Sequence, residues 1–452
     1  MEEVKNHCHI LLLTQVTNNL VKMQNTKWNL WNLISCITNT KFSVYLLSFC
    51  FASCLIYLGL LSIHYPYSAW QISEWLPNYS DGFMRRGLPG TIIYFFVSNW
   101  QIQTRTLILI ISYASFAFVG LFLITQNRKC FPKVVFLSPL FLGCAVYAIS
   151  FQGEYIARKD FFLLAVLISC LYATKLSNQL RFITFNLLAI AAILSHEVFI
   201  FIAVPALSVF VYLHNLGTIN SNRHGLINTI FFIWPTWAAS LLIPFFHGTP
   251  SAPGSIAESW NQLWLKFEAA NCCIEVNQGN ALGYLSLHLS DQLDSILKDQ
   301  ILNVSAGIYV PFAWAATILL SGYFLINMLQ VTNEGGDICI KRNQMSCILL
   351  FQLTCILPLF ALGTDYGRWI NLWIISSFIL YKFNFFPENI KLPKVYPRLL
   401  EKVIGWKFKP RLGYLLFFSI PPYTWSLNSY LECTPLGSLF IIFRSSLEYL
   451  YW

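Results

Sequence analysis

The chain has 452 residues, 56% of them hydrophobic and only 11% charged, with a mean hydropathy of +0.57 and a formal net charge of +9. Soluble domains carry about a quarter charged residues, so this composition excludes a cytosolic enzyme, a nucleic-acid module, a disulfide scaffold and a disordered chain. Aromatic residues make up 17%, with 38 Phe and 15 Trp, which suits a lipid solvent bordered by aromatic belts.

Residues 1–42 are polar and Trp-spotted, and the apolar run Ile10 to Leu13 is too short for a signal peptide. They read as a cytoplasmic arm ahead of a single transmembrane domain over 43–452. A helix needs about 20 mostly apolar residues to cross a bilayer, fewer where it is enclosed by others. By that measure spans are expected near 43–64, 105–126, 133–151, 161–175, 182–195, 197–213, 225–246, 303–328, 344–363 and 369–384. Two weaker segments lie at 412–427 and 436–447, for an all-α polytopic bundle of about 10–12 spans. The apolar stretch 88–99 is too short to cross and reads as a half-buried helix on one face. The long segment 247–302 opens on Gly-Thr-Pro-Ser-Ala-Pro-Gly and then alternates Leu263, Leu265 and Phe267 with polar residues. It predicts two short helices lying on the bundle.

Lys and Arg set the orientation. With the N-terminus cytoplasmic, 20 of the 29 cations but only 6 of the 20 acids fall inside, including the basic linker 382–411. The segments 65–104 and 247–302 are then outer loops. The 13 cysteines lie mostly in or near spans, where they pack as small hydrophobes, and neither CxxC nor zinc spacing occurs. No internal repeat is evident.

Four polar motifs break the apolar pattern, and all map to the outer rim. They are Ser-Asp-Gly-Phe-Met-Arg-Arg-Gly at 80–87, Gly-Glu-Tyr-Ile-Ala-Arg-Lys-Asp at 153–160, Ser-His-Glu at 195–197 and Gly-Thr-Asp-Tyr-Gly-Arg-Trp at 363–369. Ionisable groups at membrane depth are costly, and they mark cavities and function. Each motif alone also has a local explanation. Asp81 can cap a short helix, Asp160 can neutralise Arg158 or Lys159, His196 and Glu197 can clamp two helices, and Asp365 can pair with Arg368 one turn on. Four such motifs on one face point instead to a shared site. His196-Glu197 interrupts an apolar stretch too long for one span and short for two, as in a tight hairpin or broken helix. Position 200 is Ile, so the zinc-protease helix pattern fails there.

In the first motif the cations outnumber the local acid, which implies an anionic ligand. Arg85, Arg86, Arg158, Lys159 and Arg368 are the expected phosphate contacts. Glu154, Asp160 and Trp369 complete the substrate-binding set. Asp81, Glu197 and Asp365 are the available bases, with His196 as proton shuttle or oxyanion donor. The chain has no P-loop or dinucleotide fingerprint, and an outer-face enzyme has no nucleotide supply. Its substrate is therefore expected to be activated and membrane-borne, such as a polyprenyl-phosphate-linked sugar.

This layout resembles the glycosyltransferase C superfamily, which places an acidic residue in the first outer loop ahead of short surface helices. Asp81 and the stretch 88–99 occupy those positions. It is also similar to bacterial O-antigen or capsule polymerases in span number, outer-loop arginines and a long outer loop in the second half. The resemblance implies Asp81 as base, the outer arginines as phosphate ligands, a lipid-linked oligosaccharide and membrane lipids as partners, and a bacterial inner membrane. No cofactor is expected; the family's usual paired acids or metal-binding motif are not evident here, which leaves the use of a divalent metal open. The competing class is a transporter or flippase of a lipid-linked or anionic solute, and a third is a non-catalytic assembly subunit.

Overall fold

A computed structural model describes residues 70–126, 157–216, 222–246, 248–267, 338–362 and 365–387, with isolated positions between 274 and 326 and at 390, 392 and 393. The expected arm 1–42, the spans at 43–64, 133–151, 412–427 and 436–447, most of 303–328, and Glu154 lie outside the described residues.

The described residues are helical, with no strand among them. In chain order the helices are α1 (Trp70–Ser73), α2 (Gly87–Trp100), α3 (Thr104–Thr125), α4 (Asp160–Ala173), α5 (Asn178–Ser195), α6 (Val198–Ile202), α7 (Val204–Leu216), α8 (Asn222–Leu242), α9 (Ala252–Phe267), α10 (Ile338–Leu362) and α11 (Tyr366–Lys382). Four stretches are long and apolar enough to cross a membrane: Thr104–Thr125, Asn178–Ser195, His224–Phe245 and Lys341–Phe360. Their outward faces carry large apolar side chains, among them Leu121, Leu187, Phe231 and Leu357, each more than half exposed. A water-soluble surface does not carry so many.

The shorter α4 and α11 sit inside. At 14 residues, α4 is only about 21 Å long. It packs against α3, α5 and α11, and Leu163, Leu164, Leu167, Ile168, Cys170 and Leu171 are all fully buried. A helix that is apolar all round has to be enclosed. In the same way α11 is buried from Leu372 to Leu380 against α10 and α4. These helices form one large apolar core.

Polar side chains inside this core act as clamps. The Asn186 amide donates to the carbonyls of Phe182 and Phe232 and accepts from Thr236 Oγ1, tying α5 to α8. Gln352 on α10 donates to Ile202 O at the end of α6 and to Ser376 Oγ on α11. The first of these bonds satisfies a carbonyl released where the chain breaks at Ala203 (φ −128°, ψ −47°) between α6 and α7.

A second, separate core forms a cap on the bundle. There α2, which covers the expected 88–99 helix, and α9 pack with the 70–84 segment over the first turns of α3. The apolar stripe of α9 is Ile256, Trp260, Leu263 and Trp264. Leu263 thus packs inward as expected, whereas Leu265 is 67% exposed: its helical phase places it opposite that stripe. Indole N–H groups bind the cap to its surroundings: Trp260 donates to Leu76 O, Trp264 to Thr104 Oγ1 and Trp75 to Ala157 O.

Candidate functional site

The site lies at the seam between the two cores. It is built where α5 stops. The Asn178–Ser195 helix ends at His196, whose backbone is extended (φ −166°, ψ 126°), and the chain re-enters helix at Val198. The interruption read from the sequence at 195–197 is therefore a broken hairpin, and its tip carries two polar side chains into the seam. His196 is 3% exposed. The Val198 N–H donates to His196 Nδ1 at 3.3 Å, which leaves the proton on Nε2, directed at Glu74 Oε1 3.0 Å away. Across the gap, Glu197 is gripped by Arg86: Nε donates to Oε2 at 2.7 Å and Nη2 to Oε1. Such paired contacts are the strong geometry for a guanidinium and a carboxylate.

Arg86 reaches Glu197 from the turn before α2, with a left-handed backbone (φ 64°, ψ 2°). A non-glycine residue in that region costs about 1–3 kcal/mol and persists only where the surroundings enforce it. Here the Glu197 pair does so.

The other half of the site joins α4 to α11. Arg368 clasps Asp160, with Nε to Oδ2 at 2.7 Å and Nη2 to Oδ1 at 2.7 Å. Its Nη1 also donates to Asp365 Oδ2 at 3.1 Å, and Arg158 Nη1 donates to the same oxygen at 3.0 Å. Asp365 precedes α11 as its cap residue, yet its carboxylate makes no capping bond because both arginines claim it. Arg368 Nη2 then lies 3.6 Å from Glu74 Oε1, which closes the chain from Arg86 through Glu197, His196, Glu74 and Arg368 to Arg158. Burial opposes the Glu74 charge, but the His196 hydrogen bond and the charges of Arg368, His196 and Arg158 outweigh it. They hold that carboxyl well below the usual carboxylate range.

All four motifs thus converge, the first through Arg85 and Arg86. Four arginines face four carboxylates, so the surplus of cations expected from the first motif alone is mostly cancelled across the fold. Asp160 is a second departure from local reasoning. It pairs with Arg368 of α11 and not with its neighbours Arg158 and Lys159. Lys159, fully buried, donates to Ser195 O at 3.0 Å and stacks over the Trp75 ring at 5.5 Å. Among the described residues no carboxylate lies within ion-pair distance of it. Arg85 is the least committed arginine, its Nη1 3.7 Å from Glu197 Oε1 and its buried Nε without a hydrogen-bond partner. Arg85, Arg86, Glu197 and Asp365 keep 17–23% of their side-chain surface accessible, so the network is not sealed.

Asp81 stands apart. It accepts a hydrogen bond from Thr249 Oγ1 at 2.7 Å, belongs to no ion pair of the network, and caps no helix, since Arg86 occupies the cap position of α2. Trp369 is 5% exposed and part of the bundle core, so it is neither an interfacial anchor nor open to a ligand; the Arg368 guanidinium lies over its ring at 5.0 Å. Glu74 is the member that the motifs do not reveal. Its signal was a lone carboxylate in the apolar, Trp-flanked run Ile72 to Leu76, and its Oε2 is buried without a hydrogen-bond partner.

Among the described residues no three His, Cys, Asp or Glu side chains are grouped as a metal site. The carboxylates that come together are held by guanidiniums. No family model, curated protein or solved structure matches this chain.

Proposed function

We propose that this chain is a multi-pass membrane glycosyltransferase or polysaccharide repeat-unit polymerase. It acts on polyprenyl-phosphate-linked sugars at the outer face of a bacterial inner membrane, with its N-terminus cytoplasmic. The observation that carries this reading is the convergence of charged side chains from five separate stretches at the mouth of an apolar bundle, with Arg85 left under-committed there. Apolar helices supply a place for the polyprenyl tail. Arg85 supplies charge for the phosphate, which becomes more anionic as the bond to the sugar breaks.

Among the carboxylates proposed as base, Glu197 and Asp365 are each occupied by two arginines. Asp81 has only hydroxyl company and is the group able to accept a proton. In the reaction an acceptor hydroxyl oxygen attacks the anomeric carbon, its proton passes to Asp81, and the sugar–phosphate bond breaks. The phosphate or pyrophosphate leaves as an anion on Arg85, and the anomeric centre inverts. His196, Glu74, Arg158, Asp160 and Arg368 hold Arg86, Glu197 and the mouth in place.

Arg85→Ala and Asp81→Asn are expected to abolish transfer from a radiolabelled lipid-linked sugar, with unchanged thermal unfolding in detergent. Wild-type turnover in both variants refutes the assignment. A transporter or flippase is the second reading, favoured by the broken hairpin α5–α6–α7 with a histidine in a buried ion-pair network. Movement of a fluorescent lipid-linked or anionic solute across proteoliposomes, without chemical conversion, would establish it instead.

A further inference from the structure

Two outer loops meet beside the mouth, and their contacts form a compact mixed surface. The 79–86 loop and the 246–251 loop are joined by Arg85 N–H donating to Phe246 O at 2.7 Å and by Thr249 Oγ1 donating to Asp81 Oδ2 at 2.7 Å. Each loop turns on a glycine with positive φ, Gly82 at 100° and Gly248 at 78°, a backbone that other residues rarely adopt. Met84, buried beneath them, fills the space between the loops. The surface is therefore held in shape by its own bonds.

On it, three aromatic rings adjoin the carboxylate and hydroxyl pair. Tyr79 and Phe83 stack with centroids 5.2 Å apart, and Phe83 meets Phe246 edge-on at 4.9 Å. Phe83 is 50% exposed and Phe246 40% exposed, while the half-buried Tyr79 ring backs them, its Oη buried without a hydrogen-bond partner. A patch meant only to enter lipid gains nothing from a charged carboxylate and a hydroxyl chain at its centre, since their desolvation is costly. A sugar ring fits both chemistries: its C–H faces lie on aromatic rings, and its hydroxyls bond to a carboxylate and to hydroxyl groups.

We infer that Tyr79, Phe83 and Phe246, with Asp81 and Thr249, form a subsite for a neutral sugar ring, the acceptor whose hydroxyl Asp81 addresses. The subsite rests on the enzyme reading for that acceptor role, and its binding chemistry can be tested separately. The protein in nanodiscs is presented with a panel of neutral methyl glycosides and disaccharides of glucose, galactose, mannose, rhamnose and N-acetylglucosamine, and saturation transfer to sugar ring protons is recorded by NMR. At least one saccharide is expected to bind. Phe83→Ala and Asp81→Ala are each expected to weaken that binding about tenfold, the scale of one lost stacking or hydrogen-bond contact. Phe83→Tyr is expected to retain it, which excludes collapse of the loops as the cause.

Turnover of a radiolabelled polyprenyl-phosphate sugar is measured on the same sample. Turnover without binding of any saccharide overturns the subsite and leaves the enzyme. Binding without turnover keeps the subsite and removes the enzyme; absence of both removes the two together. Lipid is the competing occupant, and quenching of a Phe83→Trp variant by brominated phosphatidylcholine would overturn the subsite.

Discussion

The bundle core and the cap are both apolar, yet they are assembled by different rules. In the bundle, α4 and α11 are wrapped by neighbouring helices, and cohesion comes from close packing with a few satisfied polar clamps. In the cap, α9 is amphipathic and lies on the protein with one stripe of Ile256, Trp260, Leu263 and Trp264 turned inward. Its tryptophans combine a large apolar body with an N–H that finds a specific acceptor. Lipid offers no such acceptor, and water would compete for it. The cap chemistry therefore suits the border between the two media.

Perturbing the seam, the bundle and the cap in turn should separate their contributions. The largest effect is expected at the seam. Arg368→Met leaves Asp160 without its guanidinium, Asp365 with Arg158 alone and Glu74 with one neighbouring charge fewer, and removing one partner of a buried pair costs about 3–5 kcal/mol. The loss is read from thermal unfolding in detergent. Arg368→Met combined with Asp160→Leu should recover part of it, because no orphaned Asp160 carboxylate remains; a purely additive double mutant would show that the two are not coupled.

A pH effect comes next. Burial pushes the Lys159 ammonium down from 10.5 to about 7. The folded chain then holds fewer protons than the unfolded one between these values, so stability rises as pH climbs from about 7 towards 10.5 and is flat below. Lys159→Met should flatten that rise. The Glu74 carboxyl is lowered too, but for an acid that favours the charged form, and its effect falls in acid. Its contribution is present above the ordinary carboxylate range and fades as pH falls through the lowered folded value.

In the cap, Trp264→Phe removes the bond to Thr104 while keeping an aromatic body. A loss of about 1 kcal/mol is expected, with faster amide exchange in α9 and unchanged exchange in α4. Equal acceleration in both would mean that cap and bundle unfold as one. The smallest effect belongs to the bundle clamp. Asn186→Leu should cost about 0.6 kcal/mol, since a polar contact between membrane helices contributes little beyond packing.

The sequence showed the helices of the bundle because membrane helices declare themselves by uninterrupted apolar length, and α3, α5, α8 and α10 fall where that length is reached. It also showed the break at 195–197, since a His-Glu pair inside about 30 apolar residues leaves one continuous span untenable. The partners of Asp160 were not legible. An acid beside Arg158 and Lys159 invites a local pairing, and nothing in the neighbouring residues announces that Arg368, 208 positions away, fits it with two parallel bonds. Glu74 was hidden for a related reason: a single carboxylate has no spacing to recognise.

Sequence by itself determined the solvent, the helical class and the set of residues that do not belong in lipid, because each follows from transfer energies that act residue by residue. Tertiary structure decided which charges are spent on one another and which remain available, Arg85 and Asp81 above all. That selection depends on distances of a few ångströms between segments far apart in the chain, where attraction between opposite charges rises steeply as they approach in a medium that screens poorly.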